Sequence, residues 1–463
     1  MAGRAAFSSK VGFVMAAVGS AVGLGNLWRF PYLASTNGGA TFLLLYLVLL
    51  FLVGIPALLA ELSLGRGTGR SSLDAFSEDG KRPRWKAAGV LAVLSAALLL
   101  SYYSVIAGWS VRYMAEALIS FREPPAFLDD PDGFFGGIAQ GPAAIGTHLV
   151  FMAVVLFIVA RGVAGGIERS NLIMMPFLFL AVIGLVVYAN LLPGSGAGRD
   201  FYLRPDFGEI TGTSISNAAG QTFFSIGLGI GTMLTYSSYL DKRTDLQRTG
   251  LTVALADTGV AFLAGLMVFP LAFSFGLSDL VLGTGDSSVG GLFIVVPTAF
   301  GELGPTLATV LSAGFFIMLT FAALSSAISL LEVGVSVLVD RFPSWGRARS
   351  VLVLGLPIYI VGLFSAIDLR FLDYADALVS RVLLITGGLL VTLYVGWVRR
   401  PLLDELEVGL GGFSMMPYFR PVIRYVLPVI LGVLMLLGIV SFLVYIGVLD
   451  PAEGSFLREI TTG

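Results

Sequence analysis

The strongest constraint in this chain is a succession of long apolar segments, each about as long as the 20 residues a helix needs to cross the hydrocarbon of a bilayer. In lipid a segment must satisfy its own amides and carbonyls, which makes the helix the natural form for apolar runs of this length. By that yardstick eleven spans are expected, near residues 11–34, 41–65, 87–120, 146–161, 168–192, 212–240, 246–277, 305–339, 348–366, 370–398 and 424–449. The fourth is short, and its edges are poorly marked. A further apolar piece, 291–301, is too short to cross, contains Pro297 and reads as a loop helix. Charged residues make up only 13% of the 463 positions, against about 25% in ordinary soluble chains, so lipid must solvate much of this surface. The expected fold is an all-α membrane protein, a single domain over 1–463.

Lysine and arginine set the orientation, because cytoplasmic loops hold their excess. With the N-terminus inside, twenty of the 28 fall in cytoplasmic segments, five fall outside, and Arg29, Arg112 and Arg381 lie within spans. Eleven spans then put the C-terminus outside. Arg4 and Lys10 run directly into the first apolar segment with no small-residue cleavage pattern, so that segment is expected to remain as a span of the inner or plasma membrane.

Several function classes fall away. A formal net charge of −2 gives no footprint for nucleic acid. The absence of cysteine removes thiolate chemistry, and the single histidine, His148, removes any multi-histidine metal site; His148 reads as structural or interfacial. No nucleophile–histidine set or phosphate loop is present, so an enzyme is not expected and there are no catalytic residues to name.

Two spans carry glycine clusters, residues 19–26 (GSAVGLGN) and 227–231 (GLGIG). Each glycine costs a helix about 1 kcal/mol relative to alanine, so such clusters favour local unwinding. Close packing through small residues is the competing reading. The clusters lie five spans apart, in the first span of each of two five-helix halves, 11–192 and 212–398, with 424–449 left as an eleventh helix. That placement suits an inverted-repeat transporter, in which broken helices line the binding site.

Asp257 lies about nine residues beyond Arg248, roughly 13 Å along a helix, and so sits deep in the seventh span. A charge there costs at least about 2.5–3.5 kcal/mol, which either a bound cation or protonation with hydrogen bonding would offset. Asn26 after the first break and Ser225 before the second offer oxygens to such a cation. Ser325 and Ser326 are weaker signals alone, since membrane serines often bond the carbonyl four residues back. Arg29 and Asp376 have the depth for an outer gate, and Arg4 and Asp340 for an inner one; read alone, each is equally an ordinary interfacial charge. Exposed pairs are worth about 0–1 kcal/mol, which suits a reversible gate. Arg381 has no nameable partner.

Residues 19–32 (GSAVGLGNLWRFPY), Asn37-Gly38-Gly39, Gly54-Ile55-Pro56 with Glu61, Tyr102-Tyr103, 221–225 (QTFFS) running into Tyr236 and Tyr239, and 322–326 (AALSS) carry a resemblance. Through them the chain resembles the neurotransmitter:sodium symporter family over nearly its whole length, and its eleven spans resemble the prokaryotic branch. The resemblance implies a LeuT-type 5+5 inverted repeat with discontinuous helices 1 and 6, and transport of an amino acid with two sodium ions.

The first ion would be held by the Ala21 carbonyl, Asn26, Ser225, Asp257 and the substrate carboxylate. The second would be held by the carbonyls of Gly19, Val22 and Ala322 and the hydroxyls of Ser325 and Ser326. The substrate carboxylate would meet amides around Leu24 and Gly25 and the Tyr103 hydroxyl; its amino group would meet carbonyls of Ala21, Phe224 and Ser225. Side-chain walls would come from Ser20, Leu24, Leu99, Tyr103, Phe224, Gly227, Ile230, Ser326 and Leu330. None is charged, and Gly227 leaves room, so neutral and hydrophobic amino acids are expected. Phe224 would cap the pocket below an Arg29–Asp376 gate, and Arg4–Asp340 with Tyr239 would lock the inner side. Chloride-dependent members carry a neutral residue where this chain has Asp257, and chloride-independent ones often a glutamate where it has Ala261; the charge on Asp257 implies no chloride requirement. An ion channel or a sodium-dependent amino-acid sensor on the same scaffold is the alternative. The oligomeric state is not legible.

Overall fold

The structure, a computed structural model, describes residues 6–77, 81–120, 124–278, 291–412 and 414–449. The helices that build the bundle are α1 (Lys10–Ala21), α2 (Gly25–Thr36), α3 (Ala40–Thr68), α4 (Pro83–Ile119), α5 (Pro142–Ala160), α6 (Val163–Leu191), α7 (Gly212–Ile226), α8 (Thr232–Ser237), α9 (Leu246–Ser274), α10 (Gly291–Gly301), α11 (Pro305–Arg341), α12 (Gly346–Ile367), α13 (Leu369–Val398) and α14 (Met416–Tyr445). No strand occurs among the described residues.

Nine of these helices are long and apolar enough to cross a membrane unaided, and α1 with α2 forms a tenth span bent by 48°. The position of the remaining expected span is filled by α7 and α8, of 15 and 6 residues, each too short to cross alone. The fourth span begins at Pro142, earlier than expected, because proline at a first helical position costs no hydrogen bond. The last begins at Met416 rather than near 424, for its first turns pass over Pro421 in wide, π-type geometry. The short apolar piece is a helix, α10, that stands beside α11.

Local chemistry explains both breaks. Ser9 caps α1 by accepting from the Gly12 amide at 2.9 Å. The helix stops where Val22 turns extended (ψ 110°). The Gly23 amide then donates to Asn26 Oδ1 at 3.0 Å instead of to the Gly19 carbonyl four residues back. Further along, Gly227, Gly229 and Gly231 all hold left-handed φ, at 67°, 83° and 77°. Alternate left-handed residues end a helix, and glycine alone takes this region without a Cβ penalty. A Cβ on Gly229 would strike the Leu384 carbonyl and stand 2.7 Å from the Gly388 amide, so α13 packs directly on the second break.

The broken helices lie at the centre. α1 packs on α6, α9 and α11, and α7 and α8 pack on α3. α14 is peripheral, with only 11% of its apolar window buried, and it presents its remaining surface to lipid. His148 is buried, its ring stacked on Tyr359 at 4.6 Å with Nε2 3.1 Å from the Tyr359 carbonyl. Arg112 pairs with Glu116 one turn on, at 2.7 Å.

Candidate functional site

Two oxygen clusters and a hollow meet where the breaks face each other. In the first cluster Asn26, Ser225 and Asp257 are all buried. The Asp257 carboxylate accepts from Asn26 Nδ2 and from Ser225 Oγ, both at 2.7 Å, and Asn26 Nδ2 also reaches the Asp257 carbonyl at 3.0 Å. No lysine or arginine pairs with Asp257 among the described residues. The Asn26 amide oxygen takes the Gly23 amide; a half-turn about the Cβ–Cγ bond would present that oxygen to the cluster instead. The donor set is hard oxygen with one formal negative charge, which fits a small monovalent cation.

The second cluster joins α1 to α11. Ser326 Oγ lies 3.4 Å from the Gly19 carbonyl and 3.3 Å from the Val22 carbonyl. Ser325 Oγ lies 3.5 Å from the Val22 carbonyl and 2.9 Å from the Ala322 carbonyl. The break frees the α1 carbonyls: Gly23 N has turned to Asn26, and Asn26 N donates to Gly23 at 3.2 Å rather than to Val22. Oxygens around a cation at about 2.4 Å stand about 3.4 Å apart along an octahedral edge. The long contacts between the two helices match that spacing, so the residues present fit a sodium ion.

Between the clusters lies a partly open hollow with a cavity volume of ≈ 40 Å³. Ser20, Ala21, Gly25, Leu99, Tyr103, Phe224, Ser225, Gly227, Ile230, Ser326 and Leu330 line it. Leu24 does not; its contribution is its amide, which donates to the Tyr103 hydroxyl at 3.3 Å. Gly23, Thr232 and Ser329 also line the hollow and were not foreseen. Ser329 falls three residues after Ser326 on one helix face, and Glu332 three after that, a spacing visible in the sequence. A Cβ on Gly23 would stand 2.5 Å from Ser326 Oγ, and one on Gly25 would stand 2.9 Å from the Phe224 ring, so both positions hold glycine for close approach. The N-terminal ends of α2 and α8 abut the hollow and bring partial positive charge to it.

The gate residues are placed differently from expectation. Arg29 and Asp376 form no ion pair. The Arg29 guanidinium lies 4.3 Å from the centre of the Phe224 ring, a cation–π contact, while Asp376 accepts from the Tyr102 hydroxyl at 3.0 Å. The aromatic face and the hydroxyl have taken the partners that each charge was expected to offer the other. On the face that carries Lys10, Arg4 lies outside the described residues. Asp340 accepts from the Ser71 amide at 3.2 Å, and the Tyr239 hydroxyl donates to Glu332 at 2.8 Å. Glu332, wholly buried, is paired with Arg347, which also donates to the Val159 carbonyl at 2.7 Å. Phe7 stands edge-on to Tyr236 and Tyr239 at 5.7 and 6.3 Å, so aromatic rings pack beside the Glu332–Arg347 pair on the Lys10 side. Glu332 and Arg347 were missed, although a glutamate deep in an apolar run was the available signal.

Arg381 has partners after all: Ser441 Oγ at 2.7 Å and the Tyr445 ring at 5.1 Å, both on α14. Glu61 accepts from the Gly229 amide at 2.6 Å, and Gln221 Nε2 donates to the Gly25 carbonyl at 3.0 Å; each satisfies backbone that a break left open.

Comparison with known proteins agrees with this architecture. The model of the sodium:neurotransmitter symporter family matches residues 4–123 and 139–450. An uncharacterized sodium-dependent transporter of Bacillus subtilis, YhdH, is 37% identical over 94% of this chain and 98% of its own length. An uncharacterized sodium-dependent transporter of Haemophilus influenzae is 31% identical over 93% and 97% of the two chains. The crystal structure of MhsT in complex with L-phenylalanine superposes with a TM-score of 0.84, at 36% identity, over 94% of this chain and 99% of that one. With its LeuT-type fold, the chain belongs to the sodium:neurotransmitter symporter family of sodium-dependent membrane transporters.

Proposed function

We propose that this protein imports neutral, hydrophobic L-amino acids by symport with two sodium ions, without chloride. The observation that carries the substrate class is the lining of the hollow. Leu99, Phe224, Ile230 and Leu330 give it apolar walls, while the Tyr103 hydroxyl and the open backbone of the breaks give it polar groups. A zwitterion suits the polar groups, and burying an apolar side chain against the walls is worth about 1.5–3 kcal/mol. Among the described residues no charged side chain lines the hollow to pair with an acidic or basic substrate. The MhsT complex with L-phenylalanine supports the same class.

The first ion would sit among Ala21, Asn26, Ser225 and Asp257 beside the substrate carboxylate, and the second among Gly19, Val22, Ala322, Ser325 and Ser326. When bound, sodium supplies the positive charge that Asp257 otherwise lacks and couples α1 to α9 and α11. The Asp257 carboxylate provides the local negative charge that chloride would otherwise supply, which is the argument for chloride independence. The Lys10 face is cytoplasmic in this reading, with the C-terminus outside. Residues 11–192 and 212–398 act as two repeats that rock about the hollow. Arg29 and Asp376 come together above Phe224 when the outer path closes, and Arg4 with Asp340 and Tyr239 supports the inner seal.

Reconstituted protein should accumulate L-leucine or L-phenylalanine in proportion to an inward sodium gradient, equally in chloride and gluconate. Uptake of glutamate or lysine in place of these would refute the substrate class; loss of uptake in gluconate would refute chloride independence. A sodium current that ignores amino acids would favour a channel.

A further inference from the structure

We infer that Asn171, on α6, is an additional oxygen donor of the second sodium site, beside Gly19 and Ser325. The inference rests on the proposed second site and extends it by one helix. Asn171 is fully buried. Its Nδ2 donates to the Ile167 carbonyl at 2.9 Å, which turns Oδ1 towards α1, and Oδ1 has no hydrogen-bond partner. A Cβ built on Gly19 would collide with Asn171 Oδ1 and lie 3.1 Å from Ser325 Cβ. The amide oxygen and Ser325 therefore flank the same face of Gly19, whose carbonyl belongs to the cluster.

A buried amide oxygen without a donor is costly, and the serine hydroxyls of the second cluster are already committed to carbonyls. A cation satisfies all of them at once. Five oxygens come from α1 and α11, and Asn171 Oδ1 would bring a sixth from α6.

The same α6 face continues to Glu168, three residues earlier. Glu168 occupies the space that a Cβ on Gly12 would need and accepts from the Ser8 amide and hydroxyl at 2.7 Å and from the Ser9 hydroxyl at 2.9 Å. Gly12 and Gly19, one heptad apart on α1, thus face Glu168 and Asn171, so the interface holds oxygen side chains where methyl groups would otherwise pack.

The test is sodium titration of L-leucine binding to purified full-length protein carrying Asn171→Leu, Asn171→Asp or Ser325→Ala. Leucine at 171 keeps the branched outline, with bulkier methyl ends, and removes the oxygen. It should raise the sodium concentration for half-maximal binding about tenfold, with leucine affinity at saturating sodium unchanged; aspartate should restore sodium affinity to wild type or tighter. A residue that merely spaces α1 from α6 would lower the melting temperature without moving the sodium midpoint. Asn171→Leu within twofold of wild type, while Ser325→Ala is shifted, overturns the role of Asn171 alone. If Ser325→Ala is also unshifted, the second site itself is refuted. Should the leucine variant not fold, Asn171→Ala is read by the same criterion.

Discussion

Replacing Asp257 by asparagine isolates charge from shape. Asparagine fits the same space, and its Oδ1 can accept from Asn26 while its Nδ2 donates to a reversed Ser225 hydroxyl, so the 2.7 Å contacts survive with altered polarity. What disappears is one negative charge beside the proposed ion. Unit charges 4 Å apart attract by about 4 kcal/mol at an effective dielectric of 20. Setting the cost of a dry carboxylate against this leaves about 2–3 kcal/mol, or roughly 30- to 150-fold in sodium affinity. The assay is sodium-dependent binding of L-leucine, titrated in chloride and in gluconate. The expected result is a rightward shift of that size in gluconate, partly reversed by chloride, which would restore the missing negative charge. A variant within threefold of wild type in both anions would refute the electrostatic argument.

Tyr103→Phe removes the hydroxyl that meets the Leu24 amide; amino-acid affinity should fall about tenfold, with sodium binding measured alone unchanged. Gly229→Ala places a methyl against the Leu384 carbonyl at a φ of 83° and should cost more than about 2 kcal/mol, seen as a lowered melting temperature in detergent. Arg347→Met leaves the Glu332 carboxylate buried without its cation and should destabilise by about 3–5 kcal/mol. The double variant with Glu332→Gln should recover most of that loss, and equal melting temperatures for the two would contradict the pairing.

The sequence announced its helices through apolar length and its breaks through glycine spacing, because a broken helix in lipid needs residues that tolerate unusual backbone and neighbours that satisfy it. Asn26, Ser225 and Asp257 were legible as a group since each is a polar exception in an apolar run. The Ser325–Ser326 pair became meaningful only once α1 was seen to release the Gly19 and Val22 carbonyls toward it. Partner choice across helices was not legible. Arg29 and Asp376 have matching depth and opposite charge, yet a phenylalanine ring and a tyrosine hydroxyl intervene. Arg381 looked solitary because its partners, Ser441 and Tyr445, are 60 and 64 residues away on a peripheral helix that packs against α13. Asn171 was passed over because it follows Glu168 and Arg169 at the charged end of its span, where an asparagine reads as an ordinary interfacial residue.

The account turns on sodium and a zwitterion sharing one pair of broken helices, so their binding must be coupled reciprocally. The direct measurement is the L-leucine dissociation constant across a sodium series with potassium keeping ionic strength constant, together with the sodium midpoint across a leucine series. The account predicts that each ligand tightens the other by the same factor, with negligible leucine binding in potassium. Equal leucine affinity in the two cations would contradict it.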